Sequence, residues 1–219
     1  MPAPTPQSIA DLRQTGECEH QTLGLGWVLR DLERRRRPRV LDLGPALGAS
    51  VEFLARYSVQ LFIADLYRSV RSSTGQLPPD ASRLLRLLGE QLPLPEEGPF
   101  DLILAWDLLN YFAADQLEAL GQHLGELCRP GGQMFALVAT RGPISDRPRT
   151  FEILAEDALR YGAGAANERP SPGYRETALE RLLDAFSVQT SYLLRNGMQE
   201  YIFTRRMSHP TLKPQTAAR

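Results

Sequence analysis

The chain has almost no lysine. Of its 25 basic residues only Lys213 is one, and it stands in a Pro-containing tail. Chemistry that needs a lysine in the core therefore has no candidate, whether a Schiff base, a phosphate-binding P-loop or the Tyr-Lys pair of short-chain dehydrogenases. Cysteine is nearly as scarce: Cys18 and Cys128 lie far apart in no metal or redox spacing, and a reducing compartment argues against their pairing. The histidines His20, His123 and His209 are scattered too, so no structural zinc site is visible and nothing asks for a metal. Apolar runs are broken by Asp or Arg well short of a membrane span. An excess of either charge is missing as well: 25 basic against 26 acidic residues leave a formal charge of −1. Such balance gives no electrostatic reason to expect nucleic acid or an anionic membrane as partner. The opening stretch MPAPTPQSIADL has neither a basic start nor an apolar centre, so no secretory signal and a cytoplasmic location are expected.

What is present suits one domain: 219 residues, 42% hydrophobic and 23% charged, enough to bury a sizeable core. The reading divides them into an N-terminal extension with a helix (1–38), a main domain (39–206) and a loose tail (207–219). Residues 1–8 also read as loose. Leu25, Val28, Leu29 and Leu32 form a helical stripe within His20–Arg35, and the basic run Arg34–Arg37 reads as its solvated end. Strands are expected at Arg39–Leu43, Leu61–Ala64, Phe100–Trp106 and Gln133–Ala139. Helices are expected at Ala46–Tyr57, Ala114–Cys128, Phe151–Tyr161 and Tyr174–Phe186. Between Tyr67 and Pro99 strand and helix compete; Asp80 ahead of Leu84, Leu85, Leu87 and Leu88 favours a capped helix over Ala81–Leu88. Asn196-Gly197 between Val188–Leu194 and Met198–Arg205 is a hairpin signal. The fold class is therefore α/β, a doubly wound, mostly parallel sheet with a C-terminal antiparallel strand.

The most informative piece is strand, then Asp42-Leu43-Gly44-Pro45-Ala46-Leu47-Gly48, then helix. Glycine lets backbone approach a ligand, and the following helix offers unpaired N–H groups. In open α/β sheets ligands sit outside the carboxyl ends of the strands, where this turn belongs. These glycines also suit a tight turn with no ligand at all. A dinucleotide fingerprint would need glycine at Ala46 and Ala49, and losing both argues against a pyrophosphate.

Asp42, Gly44 and Gly48 match the D/E-x-G-x-x-x-G core of the first motif of the class I S-adenosylmethionine methyltransferases, which the chain resembles. The usual middle glycine is Ala46 here, a departure; Gly48-Ala49-Ser50 is similar to the G-x-S ending of some O-methyltransferases. Asp65 ends the second strand, Phe100–Trp106 is similar to the family's fourth strand, and Cys128-Arg129-Pro130-Gly131-Gly132 is similar to its L-x-P-G-G turn. The resemblance covers about Arg39 to Arg206. It implies a Rossmann-like fold and S-adenosylmethionine as cofactor, held along Gly44, Pro45, Ala46 and Gly48. Asp42 would face the methionine ammonium, Asp65 the ribose hydroxyls, Leu66 the adenine and Trp106 the point where strand meets cofactor. Glu90 would meet the adenine amine, or is simply solvated. Asp65 also reads as a turn former, and Trp106 as a core aromatic.

For the acceptor, Asp107, Tyr111 and Arg141 are the polar candidates near the active end of the sheet, and Phe151–Gly173 would shape a lid. The N/D-P-P-Y/F signature of amide and nucleobase methylation is absent, as are the lysine and paired metal-binding acids of catechol-type enzymes. No general base stands out, and His123 reads as solvated. Two functions stay open: a methyltransferase acting on a small molecule, and a methyltransferase-like domain that only binds. The acceptor and the oligomeric state are not legible.

Overall fold

Short leucine and β-branched runs ending at Gly or Asp build the centre of the molecule. The structure is a computed structural model that describes residues 18–165, 167–194 and 196–207. Apart from Met207, the termini expected to be loose lie outside the described residues. The chain opens with β1 (Cys18–Gln21) and α1 (Gly24–Glu33), then β2 (Arg39–Asp42), α2 (Gly48–Ala55), β3 (Gln60–Ile63) and the short α3 (Leu66–Ser69). Next come α4 (Ala81–Gln91), β4 (Phe100–Trp106), a 3₁₀ turn (Leu108–Tyr111), α5 (Ala114–Leu127) and β5 (Cys128–Ala139). An insertion carries β6 (Pro143–Ser145), β7 (Phe151–Ala155), β8 (Ala158–Tyr161) and β9 (Glu168–Pro170). Finally α6 (Glu176–Leu182) leads into β10 (Phe186–Leu193) and β11 (Met198–Arg205).

Six strands form the main sheet in the order β10-β11-β5-β4-β2-β3. β3, β2, β4 and β5 are parallel; β11 runs antiparallel to both β5 and β10. The reversed edge and the turn at Gly197 (φ 82°) agree with the hairpin signal. Successive residues of β4 alternate between two cores, as strand pleating requires. Leu102, Leu104 and Trp106 join α1 and α2 on one face, while Ile103 and Ala105 join α4, α5 and α6 on the other. Helices on both faces make the sheet doubly wound.

The competition between strand and helix after Tyr67 goes to the helix that Asp80 favours, and two other expectations need correction. No strand lies between Tyr67 and Pro99; α4 occupies that stretch, with the Asp80 carboxylate accepting the Arg83 N–H at 2.8 Å. β3 is therefore the sheet edge, with Phe62 and Ile63 exposed. Phe151–Tyr161 is the β7–β8 hairpin rather than a helix, and His20 and Gln21, read as the start of a helix, belong to β1, which pairs with β8 to complete a small three-stranded sheet. Opposite charges support that pairing: Arg160 meets Glu19 at 3.1 Å and Glu152 at 3.0 Å. At the CRPGG segment pairing passes from Phe100–Cys128 to Leu102–Gln133, so Arg129–Gly132 loops out of β5, with Gly131 at φ 70°.

One buried acid ties the first helix to the last strand. Glu200 of β11 is fully buried, and its Oε2 accepts the Leu23 and Gly24 N–H groups at 3.0 and 2.8 Å, at the start of α1. Burial pushes its pKa up, while these bonds and the Thr22 hydroxyl oppose that. Gly24 permits the approach, since a Cβ there would lie 2.9 Å from the Phe135 ring. Replacing Glu200 by Ala strands the buried Gly24 N–H and the part-buried Leu23 N–H and is expected to cost roughly 2–3 kcal/mol. Glu200→Gln, which keeps an acceptor, should lose clearly less; urea unfolding of the two variants reads the difference.

Candidate active site

Everything polar that the sequence singles out at the sheet's carboxyl edge starts from the turn after β2. Pro45 is partly exposed, Ala46 and Gly48 are exposed, and a Cβ at Gly48 would meet nothing within 4 Å. The turn is stitched to the end of β3: Ala64 N–H donates to the Asp42 carbonyl (2.9 Å), Asp65 N–H to Gly44 (3.1 Å) and Leu66 N–H to Leu43 (2.9 Å). Asp65 itself sits in the left-handed region (φ 38°, ψ 59°), half-buried, and its carboxylate takes no hydrogen bond from the described residues. It is a carboxylate beside a glycine turn with its bonding capacity open.

Asp42 is different. It is 4% exposed, and its Oδ1 accepts both the Gly44 N–H at 2.9 Å and the Trp106 indole N–H at 2.6 Å. Burial lifts its pKa to about 6 against those two bonds, with the nearby Asp65 charge adding to the lift. Trp106, the last residue of β4, reaches it from a left-handed backbone (φ 49°), a costly conformation for so bulky a residue. Its ring lies so close to Gly44 that a Cβ there would be 2.9 Å from the indole. On the other side it stacks on Phe151, with centroids 5.4 Å apart and planes 3° apart. β7 is held there by Ser50 of α2, whose Oγ accepts the Ile153 N–H at 3.0 Å.

Past Trp106 the chain enters a chamber between the sheet edge and the insertion. Asp107, Asn110, Tyr111, Ile144, Arg149 and Phe151 line it, with Tyr161, Glu168 and Met198 across the space; its empty volume, open solvent at the mouth included, is about 680 Å³. Asp107 forms part of its wall. Its Oδ2 accepts the Arg149 N–H at 3.1 Å and lies 3.4 Å from the Tyr111 hydroxyl, which donates to the Arg147 carbonyl at 2.8 Å. Burial raises the Asp107 pKa to about 7, opposed by the Arg149 N–H and charge and by Tyr111. Burial and the Asp107 charge push the Tyr111 phenol well above its usual range. Asn110 fixes the 3₁₀ turn beneath: its amide donates to the Asp107 and Leu137 carbonyls (2.7 and 2.9 Å) and accepts Ala139 N–H (2.8 Å).

Residues 19–188 match the family described as a methyltransferase domain. The chain belongs to that methyltransferase family. Its methyl donor is S-adenosylmethionine. Among solved structures, the chain is similar to the 1,6-didemethyltoxoflavin-N1-methyltransferase of Burkholderia thailandensis, crystallised with 1,6-didemethyltoxoflavin and S-adenosylhomocysteine. That match has 18% identity and a TM-score of 0.47, covering 84% of this chain and 79% of that one. The N-methyltransferase NodS of Bradyrhizobium japonicum WM9, crystallised with S-adenosylhomocysteine, shares 17% identity over 83% of this chain and 86% of its own (TM-score 0.44). The CcbJ methyltransferase of Streptomyces caelestis shares 13% over 84% and 90% (TM-score 0.49). Curated proteins give no match.

The residues of this methyltransferase domain fit an S-adenosyl group at the ribose end, where the open turn and the unengaged Asp65 carboxylate stand together. Asp42 does not present a bare carboxylate there; it is buried beneath Trp106 and shapes the turn. Two expected contacts are not brought to the turn. Leu66 is fully buried in the core that holds Leu41, Leu43 and Ala105, so it offers no face to adenine. Glu90 is exposed in the last turn of α4; Leu92, just beyond, bonds His123 near the end of α5 (2.8 Å), where the parallel strands begin. That bond also corrects the reading of His123 as solvated. Asp107 and Tyr111 do meet, whereas Arg141 is exposed and lines no part of the chamber. Sequence reasoning missed Arg149, which acts through a backbone N–H that any residue but proline carries. It also missed Tyr67, whose ring meets Tyr111 edge-on at 5.4 Å.

An acid whose folded pKa is raised favours the protonated native state. Its contribution to stability is full below the unfolded value of 3.8 and is lost as pH climbs through about 7. Relative to Asp107→Asn, the wild type should therefore lose on the order of 4 kcal/mol across that window. Urea unfolding at successive pH values checks this; a constant difference between the two proteins would contradict the buried-carboxyl assignment.

Proposed function

We propose that the protein methylates a small-molecule acceptor, with S-adenosylmethionine seated on the Gly44–Gly48 turn. The single observation behind the seat is the pairing of that open turn with Asp65, whose backbone bonds it directly and whose carboxylate has no other partner among the described residues. When bound, S-adenosylmethionine supplies a methyl group on a sulfonium, an electrophile. The chain's own part is to bind and orient: Asp65 accepts ribose hydroxyls, the exposed turn backbone approaches the ligand, and Asp42 holds the turn through Gly44. Trp106 and Phe151 shield the inner end from water. The small acceptor is supported by the modest size and ring-lined walls of the neighbouring chamber.

Calorimetry with S-adenosylmethionine and S-adenosylhomocysteine tests the seat. Binding of both is expected in the wild type, and Asp65→Ala should weaken it about 10- to 100-fold, the loss for hydrogen bonds to a charged group. Unchanged affinity in that variant would remove the ribose contact, and no heat with either ligand would remove the proposal.

A further inference from the structure

We infer that the chamber beyond Trp106 is the acceptor site and that Asp107 is its proton-accepting catalytic residue, for a small ring-bearing acceptor methylated at an N–H or O–H. The inference rests on the donor seat proposed above.

The walls set the shape of the acceptor. Three aromatic side chains, Tyr111, Phe151 and Tyr161, line the space with Met198, and rings pack well on rings. Position comes from the chain itself: Asp107 directly follows Trp106, whose indole touches the donor turn at Gly44. The carboxyl group is also oriented in advance. Oδ2 faces the Arg149 N–H and the Tyr111 hydroxyl, the carboxyl also takes its own backbone N–H, and no other described residue bonds Oδ1. Asn110, satisfied three times over, holds the turn that carries it. One oxygen is thus committed to scaffolding and the other left for a ligand proton.

An N–H or O–H acceptor must shed one proton for each methyl it gains. The lone pair on its nitrogen or oxygen forms the new bond to carbon, the donor sulfur keeps the electron pair of the bond that breaks, and the proton passes to Asp107. The acid then returns it to solvent through the chamber mouth. A carboxyl group titrating near neutrality suits this exchange, because it binds and releases a proton at little cost. The charged and titratable groups facing it are Tyr111 from its own turn, Arg149 from the insertion, and Tyr161 and Glu168 across the space. Arg149 turns its guanidinium toward the Gly162 carbonyl, at 3.4 Å, and offers Asp107 its backbone N–H.

Three probes of one size separate the possibilities: 4-methylaniline, neutral in this pH range, carries N–H, 4-methylphenol carries O–H, and toluene carries neither. Their binding to the protein saturated with S-adenosylhomocysteine is read by calorimetry and ligand-observed NMR, above and below the titration near about 7. 4-Methylaniline or 4-methylphenol is expected to bind at least about tenfold more tightly than toluene, with affinity changing across that pH window. Whichever of the two wins identifies the acceptor atom. Asp107→Asn should remove both the preference and its pH dependence. Ile144→Trp, which fills the chamber from its partly exposed rim, should block all three probes. Neither variant should change S-adenosylhomocysteine affinity. Equal binding of the probes by wild type and Asp107→Asn, or no binding to wild type, overturns the inference. Should S-adenosylhomocysteine itself fail to bind, the donor seat falls instead, and the same probes on the free protein still decide the chamber.

Discussion

The Asp42 carboxylate is the joint of the site. One of its oxygens takes two hydrogen bonds, from the Gly44 backbone and from the Trp106 indole, so a single buried acid fixes the shape of the turn after β2 and the end of β4 together. Burying a carboxylate is costly, and these two bonds offset only part of that cost, which leaves its pKa raised to about 6. Trp106 holds a left-handed backbone while its indole N–H meets Asp42 and its ring lies on Phe151, and these contacts help offset the strain. Gly44 follows from the same constraint, since a side chain there would collide with the ring. Turn, strand end and insertion are therefore one packed unit rather than three neighbouring features.

Around that joint the molecule divides its labour. On one side lie the exposed backbone of Ala46 and Gly48 and the open carboxylate of Asp65; on the other lies the ring-lined chamber with Asp107. The insertion belongs to the site as much as the sheet does. Its hairpin is anchored to α2 through Ser50 and extended by β1, and Glu200 ties the helix following β1 to the last strand. Residues from both ends of the chain thus brace the chamber roof. The far edge, β3, has no helix-capped neighbour, yet Phe62 is partly covered: the Arg39 guanidinium stands 4.9 Å from its ring and 5.2 Å from that of Phe100.

Much of this was legible in the sequence where local chemistry and final structure agree. Phe100–Trp106 is a strand at the expected bounds because alternate residues feed two cores, and Asp80 caps α4 as its spacing required. Asn196-Gly197 turns the last hairpin. What failed is non-local. Phe151, Leu154, Ala155, Ala158 and Leu159 fit a helical stripe, but pairing with a strand more than a hundred residues earlier wins, and no local signal reports that partner. Asp42, Asp65 and Asp107 stood out as candidates because acids at strand ends are visible in the sequence. That Asp42 would be covered by Trp106, that Leu66 would turn inward and that Arg149 would contribute a backbone N–H depend on packing alone.

The most direct measurement is a crystal structure of the protein with S-adenosylhomocysteine. The account predicts ribose hydroxyls within hydrogen-bonding distance of Asp65, the ligand lying along Gly44–Gly48, and the Trp106 indole N–H still on Asp42. Ligand density away from the turn, or an Asp65 carboxylate turned from the ribose, would contradict it.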